Sequence, residues 1–187
     1  YDPLRRVRRI TRSVGGTVDR VVERDYDPLG RLIEERVDGV VRRFVNDATN
    51  AILMTDGAGN VLERRLCLRN YDSVQAVSRG TELLWPLVDH VGTVRDWAAA
   101  DGTALAHHVF DAFGNPVGPI APALPALGFQ SRDRIADFPL YDFRARVYDP
   151  RQGRFLGEDV RRPWSYAFAE NNPLFYGDPT GECAAIQ

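Results

Sequence analysis

The side chains able to do covalent chemistry are few, and their types exclude several activities at once. The 187 residues carry 24 basic side chains, and every one is arginine. Without lysine there is no amine for Schiff-base chemistry and no P-loop, whose lysine must reach a phosphate. His107 and His108 are adjacent, so in a strand their rings point to opposite faces, a poor geometry for one metal ion, and His90 is distant in sequence. Cys67 and Cys183 lie 116 residues apart without a C-x-x-C spacing or a nearby histidine cluster. Neither a zinc site nor a disulfide framework is indicated, and both are expected as free thiols. Serine and threonine are scattered without a nucleophile elbow, which gives a Ser-His-Asp hydrolase no support. No metal and no cofactor are expected.

The elements that must position these groups belong to an ordinary globular composition, with 44% hydrophobic and 27% charged residues and room for one core. A net charge of -2 argues against bulk electrostatic binding to nucleic acid or anionic membranes. The arginine pairs Arg5-Arg6, Arg8-Arg9, Arg42-Arg43, Arg64-Arg65 and Arg161-Arg162 are interspersed with Glu34-Glu35 and Glu63, so cross-strand ion pairs are the expected use. No apolar run approaches the roughly 20 residues of a membrane-spanning helix. The start at Tyr1-Asp2-Pro3, with Met54 the only methionine, reads as a piece of a longer chain, so a missing signal peptide is uninformative.

Short β-branched and aromatic stretches separated by glycine-containing turns fill the first two thirds. Val18–Val22, Leu32–Glu35, Val40–Val45 and Ala51–Thr55 are expected as strands in hairpins. The run from Pro116 to Pro125 places four prolines in ten residues and predicts a semi-rigid connector. Beyond it, Asp142–Tyr148 alternates strictly and is expected as one strand, with Arg144, Arg146 and Tyr148 on one face and Phe143, Ala145 and Val147 on the other. Trp164–Pro173 predicts a short helical turn stopped by Asn-Asn-Pro. Trp85, Trp97 and Trp164 are expected in the core or lining a shell rather than as stacking platforms.

One small pattern recurs: Asp, two residues, Gly, then Arg or Asn. It occurs at Asp27/Gly30, Asp56/Gly59 and Asp111/Gly114, in a degraded form at Asp2 with Arg5 in the glycine position, and with one extra residue at Asp149/Gly153. The aspartates are spaced by 25, 29, 55 and 38 residues. In each copy the carboxylate can accept from amides further along, and the glycine supplies positive φ before the next strand departs. A hairpin cannot bury its own face, so successive units must pair edge to edge into a continuing sheet.

These units resemble YD repeats, and the motifs that follow resemble the C-terminal part of the rearrangement-hotspot (Rhs) repeat-associated core. Val88-Asp89-His90-Val91-Gly92-Thr93-Val94-Arg95 is similar to that family's Asp-His-Leu-Gly-Ser-Val-Arg signature, and Phe110-Asp111-Ala112-Phe113-Gly114-Asn115 to its Tyr-Asp-Ala-Phe-Gly-Arg. Tyr141–Pro150, Gly153–Asp159, Asn171-Asn172-Pro173 and Asp178-Pro179-Thr180-Gly181 follow the core's terminal order. The resemblance covers essentially the whole chain. It implies a mainly β fold, in which antiparallel hairpin repeats form part of a spiralling shell closed by a short irregular or helical plug. The implied organisation is a repeat region at 1–118, a connector at 119–140, the core motif at 141–182 and a residual tail at 183–187. The implied setting is a secreted or cell-surface bacterial protein of polymorphic-toxin type. Its partners would be the rest of the same shell, an enclosed C-terminal effector and a delivery or cap protein.

The resemblance also implies a site. In members that cut themselves, two aspartates of the terminal block act as an aspartyl-protease-like dyad and release the segment after Asp-Pro-x-Gly-Leu. Mapped by motif these are Asp159 and Asp178, separated by 18 residues, fewer than is usual. Val160 replaces a frequent proline, Val160–Trp164 replaces a glycine-rich link, and Glu182 replaces the leucine, which makes Glu182–Cys183 the bond cut. Two close carboxylates sharing a proton can activate water and protonate a leaving amine. Two alternatives stay open. In one, Asp178-Pro179-Thr180-Gly181 is only a turn and Asp159 caps or pairs with Arg161 or Arg162. In the other, the repeats form a carbohydrate- or adhesion-binding module, which would need an exposed aromatic patch.

Overall fold

The structure is a computed structural model that describes residues 1–68, 73–136, 138–162, 165–182 and the backbone of 185–186. Ten strands form one antiparallel sheet: β1 (Arg9–Val14), β2 (Thr17–Tyr26), β3 (Leu32–Val37), β4 (Val40–Asp47), β5 (Asn50–Asp56), β6 (Val61–Cys67), β7 (Val74–Arg79), β8 (Glu82–Val88), β9 (Val94–Ala99) and β10 (Ala104–His107). Spatial order equals chain order throughout. Three further strands, β11 (Tyr141–Phe143), β12 (Arg146–Asp149) and β13 (Arg154–Phe155), make a second sheet, and β14 (Tyr176–Gly177) pairs with β15 (Ala185–Ile186). The fold is mainly β, and the four stretches expected as strands lie within β2 to β5.

The recurrent turn explains why its residue types are needed. At Asp27 the carboxylate Oδ1 accepts the amides of Leu29 and Arg31, both at 2.9 Å, while Oδ2 takes Arg31 Nε at 2.6 Å. Asp56 holds Ala58, Asn60 and the Asn60 side chain in the same way, and Asp111 holds Phe113, Asn115 and the Asn115 side chain. Arginine or asparagine after the glycine is therefore a ligand of the turn's own carboxylate. The degraded copy at Asp2 keeps these bonds to Leu4 and Arg6, with Arg5 forced to φ 61 where the others have glycine. Asp89-His90-Val91-Gly92 is a further copy, its carboxylate binding the amides of Val91 and Thr93 and, in place of a fifth-position side chain, Arg95 Nε at 2.8 Å. At Asp149 the extra residue changes the partner: Arg151 and Gln152, rather than Arg154, hold the carboxylate.

One face of the large sheet carries buried charge. Arg24, Glu35 and Arg42 stand opposite one another across β2, β3 and β4, and Glu63 on β6 is gripped by Arg65 and Arg79 at 2.6 to 2.9 Å. The C-terminal residues pack against this face as a closing module. Val7 and Val22 meet Ile135, Phe138, Leu140 and Val147 at one end, and Val77, Leu84, Val94 and Trp97 meet Leu127 at the other. Between these apolar clusters Arg24 reaches Asp142, and Arg65 binds both oxygens of Asp133 at 2.7 and 2.8 Å. A cavity of about 530 Å³ remains between sheet and module, with Glu35, Glu63, Arg42 and Arg144 among the residues that border it. The module's own core is aromatic, with Phe129, Tyr141, Phe143, Tyr148, Phe155 and Phe168 in mutual contact at 4.4 to 6.1 Å between ring centroids.

Two expectations are corrected here. Asp142–Tyr148 is a hairpin rather than one strand: Asp142 Oδ1 accepts the Arg144 amide at 2.7 Å, Arg144 turns at φ 64, and Phe143 pairs with Arg146. The reversal places Tyr141, Phe143 and Tyr148 in one aromatic core, which a continuous alternation would have divided between faces. Trp97 is buried, but Trp85 is 39% exposed, outside the core, and Trp164 lies outside the described residues. Where a helical turn was expected, Ala169–Asn171 makes a single left-handed turn, with φ of 47, 51 and 61 at its three residues.

The proline-rich connector docks on a buried histidine. His108 is 3% exposed, its Nε2 accepts the Ala121 amide at 3.4 Å, and its Nδ1 has no partner among the described residues. Burial, then Arg134 and His107, hold its pKa below the usual 6.5 against the opposing pull of Asp96. A histidine depressed in the folded state contributes stability that is present above the unfolded value and lost as pH falls below it. Hydrogen-exchange protection of the connector should therefore fall in the mildly acidic window that opens below about pH 6.5 in the native protein and stay flat in His108→Phe. The turn carboxylate of Asp56, held low by the Asn60 side chain and backbone amides, loses its contribution only below 3.8, outside that window.

Candidate functional site

The hairpin turn between β11 and β12 brings Arg146, the first residue of β12, into the module's interior. Its guanidinium lies over the Phe155 ring at 3.7 Å, and burial pulls its pKa down while Asp159 and Asp178 oppose that shift. Arg146 Nη2 lies 3.2 Å from Asp159 Oδ2 and 3.3 Å from Asp178 Oδ2. Both carboxylates are buried, at 4% and 2% exposure. The two aspartates mapped by motif are thus brought together, separated by a single arginine nitrogen. The positive charge between them offsets the repulsion two buried carboxylates would otherwise feel.

Each carboxylate is also held by main chain. Asp159 Oδ1 accepts the amides of Arg161 at 2.7 Å and Arg162 at 3.2 Å. The bonds to Arg161 and Arg162 are the cap that the alternative reading expected, while the ion pair of Asp159 runs to Arg146 and not to either of those arginines. Asp178 Oδ1 accepts the amides of Gly181 at 2.8 Å and Glu182 at 3.1 Å. Arg146 Nε donates to the Gly181 carbonyl, while Arg132 and Arg144 both donate to the carbonyl of Pro179. The segment Asp178–Glu182 is therefore fixed along the dyad by three arginines. Beside it is a cavity of about 20 Å³ bordered by Asp159, Asp178, Ser165 and Glu182, enough for about one water molecule.

Arg146 is the site residue that sequence reasoning misplaced. Alternation placed Arg144 and Arg146 together on one face of a single strand. Arg144 reaches the Thr49 carbonyl at 2.9 Å and Asn50 at 3.0 Å, whereas Arg146 serves the carboxylates. The turn residues Asp27, Asp56, Asp111 and Asp149, with Gly30, Gly59, Gly114 and Gly153, stay in their own turns. The bond after Glu182 involves Cys183, which with Ala184 and Gln187 lies outside the described residues, as does most of the expected tail.

A sheet whose spatial order repeats its chain order, turned at Asp-x-x-Gly corners and closed by an aromatic module, defines the class: this is an Rhs-type YD-repeat fold. No protein-family model matches the chain. Among curated proteins it is 28% identical over 173 residues to a tRNA3(Ser)-specific nuclease WapA of Bacillus spizizenii, a match covering 83% of this chain and 7% of that protein. It is 27% identical to the tRNA nuclease WapA of Bacillus subtilis with the same coverage, and 26% identical over 208 residues to salivary gland surface protein 1 of Aedes aegypti, covering 98% of this chain and 6% of that one. Among solved structures, TcdB2-TccC3 without its hypervariable C-terminal region superposes with a TM-score of 0.73 at 16% identity, covering 97% of this chain and 10% of that one. The Photorhabdus luminescens Tc holotoxin pore gives 0.65 at 14% identity, over 96% of this chain and 10% of that one. The chain thus spans less than a tenth of the curated relatives' length.

Proposed function

We propose that this chain is a structural segment of a secreted or cell-surface shell of toxin type, in which the large sheet is part of the wall and the module closes it and grips the polypeptide around Glu182. The observation that carries this reading is the clamp of Arg132, Arg144 and Arg146 on the main chain of Pro179 and Gly181, which holds the segment Asp178–Glu182 inside the module. The similarity to WapA nucleases and to TcdB2-TccC3 supports it. Electron microscopy of the protein expressed from its complete gene should show closed hollow particles, and solid or open particles would overturn the reading.

The Arg146-bridged carboxylates favour a second function on the same scaffold, a single-turnover aspartyl autoproteolysis. Water in the small cavity attacks the Glu182 carbonyl carbon as one carboxylate takes its proton. The other, protonated, gives its proton to the Cys183 nitrogen. The C–N bond breaks, leaving a carboxylate on Glu182 and an amino terminus on Cys183. Expressed from its complete gene, the wild type should run as two bands on a denaturing gel, the smaller beginning at Cys183, and Asp159→Asn should give one. A single wild-type band overturns the cutting reading and leaves the shell reading intact.

A further inference from the structure

The residue at the cut position is a glutamate, and the site around it already holds two buried carboxylates. Asp159 and Asp178 share one buried guanidinium, that of Arg146. With one of them carrying the proton that cutting needs, Arg146 already balances the other, and a further negative charge beside this pair raises the energy of the bound strand unless it has a cation of its own. Glu182 is placed there by its own amide, which donates to Asp178 Oδ1 at 3.1 Å, and its side chain is only 25% exposed. Its Oε2 lies 2.9 Å from Arg161 Nη2. Arg161 is at the same time the residue whose amide donates to Asp159 Oδ1 at 2.7 Å. One residue therefore touches a dyad carboxylate with its main chain and the cut-position residue with its side chain. Of the two arginines bordering the small cavity, Arg146 serves the aspartates and Arg162 is turned to Glu170, which also borders it, so neither is paired with Glu182 there.

We infer that Arg161 is a specificity-determining residue of the autoproteolytic site, supplying the counter-charge that admits glutamate at the cut position. This inference rests on the autoproteolysis proposed above. The main-chain bond from residue 161 to Asp159 survives any side-chain change, so substitutions at Arg161 isolate the charge contact. It also couples two features of this sequence: Glu182 in place of leucine, and an arginine-bearing link in place of a glycine-rich one.

The test follows the rate at which freshly translated protein from the complete gene converts from one band to two. The Arg161 side chain is 68% exposed, so solvent screens the contact, and Arg161→Glu should slow conversion several-fold as attraction gives way to like-charge repulsion. Arg161→Lys should cut at close to the wild-type rate. Glu182→Leu should cut, and Arg161→Glu/Glu182→Leu should cut as fast as Glu182→Leu alone, since no carboxylate remains to be neutralised. The rescue also shows that the Arg161→Glu chain folds. Arg161→Glu cutting at the wild-type rate, or a double variant as slow as Arg161→Glu, overturns the inference while Asp159→Asn continues to report on the dyad. A wild type that never cuts overturns both.

Discussion

Arg24→Met is expected to loosen the closing module from the sheet by about 3–5 kcal/mol, the usual cost of removing one member of a buried ion pair. Arg24 is 2% exposed and stands between two acids, with Asp142 of the module bonded to Nη2 and Glu35 Oε2 at 3.4 Å from Nε, while Nη1 reaches the Tyr26 hydroxyl at 3.3 Å. Burial disfavours its charge, yet Asp142, Tyr26 and Glu35 outweigh burial and raise its pKa. Methionine fills the volume and leaves Asp142 facing the sheet without a cation. Glu35 keeps Arg42, so the sheet itself should hold. The measurement is hydrogen exchange of the β11 and β12 amides, which resolves local opening where a repeat protein has no single unfolding transition. Arg24→Met/Asp142→Asn should recover most of the lost protection, because Glu35 still has Arg42 and replacing both members of the pair is far cheaper than orphaning one.

Under the proposed autoproteolysis, Gly181→Ala is expected to slow cutting about a hundredfold or more, the scale of effect that a misplacement near 1 Å has on positioned reactants. Gly181 adopts φ +74, and a Cβ there would fall far inside contact distance of the Phe143 carbonyl oxygen. Left-handed φ alone costs a non-glycine residue about 1–3 kcal/mol, and the clash falls on backbone that cannot rotate away. The displaced residue is the one whose amide donates to Asp178 and whose carbonyl accepts from Arg146. Gly59→Ala is the matched control, since it has the same φ penalty at +90 and open space around it, in a turn remote from the dyad. It should cut at the wild-type rate.

The hairpin half of the molecule was legible because its determinants are local. Strand alternation and the Asp-x-x-Gly turn each act within a few residues, so residue types alone specify them. The copy at Asp89 does not match because threonine stands fifth, and its second ligand, Arg95, lies two residues beyond the pattern. The hairpin at 141–149 was misread because alternation is the same on both sides of a two-residue turn, and only Asp142 Oδ1 capturing the Arg144 amide marks the reversal. Asp159 and Asp178 were found by motif, but their bridge was not. Arg146 meets them across 13 and 32 residues of irregular chain, and no periodicity encodes that approach. The buried charges of Glu35 and Glu63 were likewise unreadable, because their burial depends on which face the closing module covers.

The sequential strand order also sets a timetable. Each of β1 to β10 pairs with its neighbour in the chain, so the sheet can zip up hairpin by hairpin at low cost in loop-closure entropy. The module's ties reach much further back: 118 residues from Asp142 to Arg24, 95 from Arg144 to Thr49 and 68 from Asp133 to Arg65. A chain emerging from its N-terminus can lay down sheet long before those contacts have partners, and the module can dock only once the sheet exists. Arg146 enters that module on the same hairpin as Asp142 and Arg144, so docking of the carboxylate pair onto the finished sheet falls at the end of assembly.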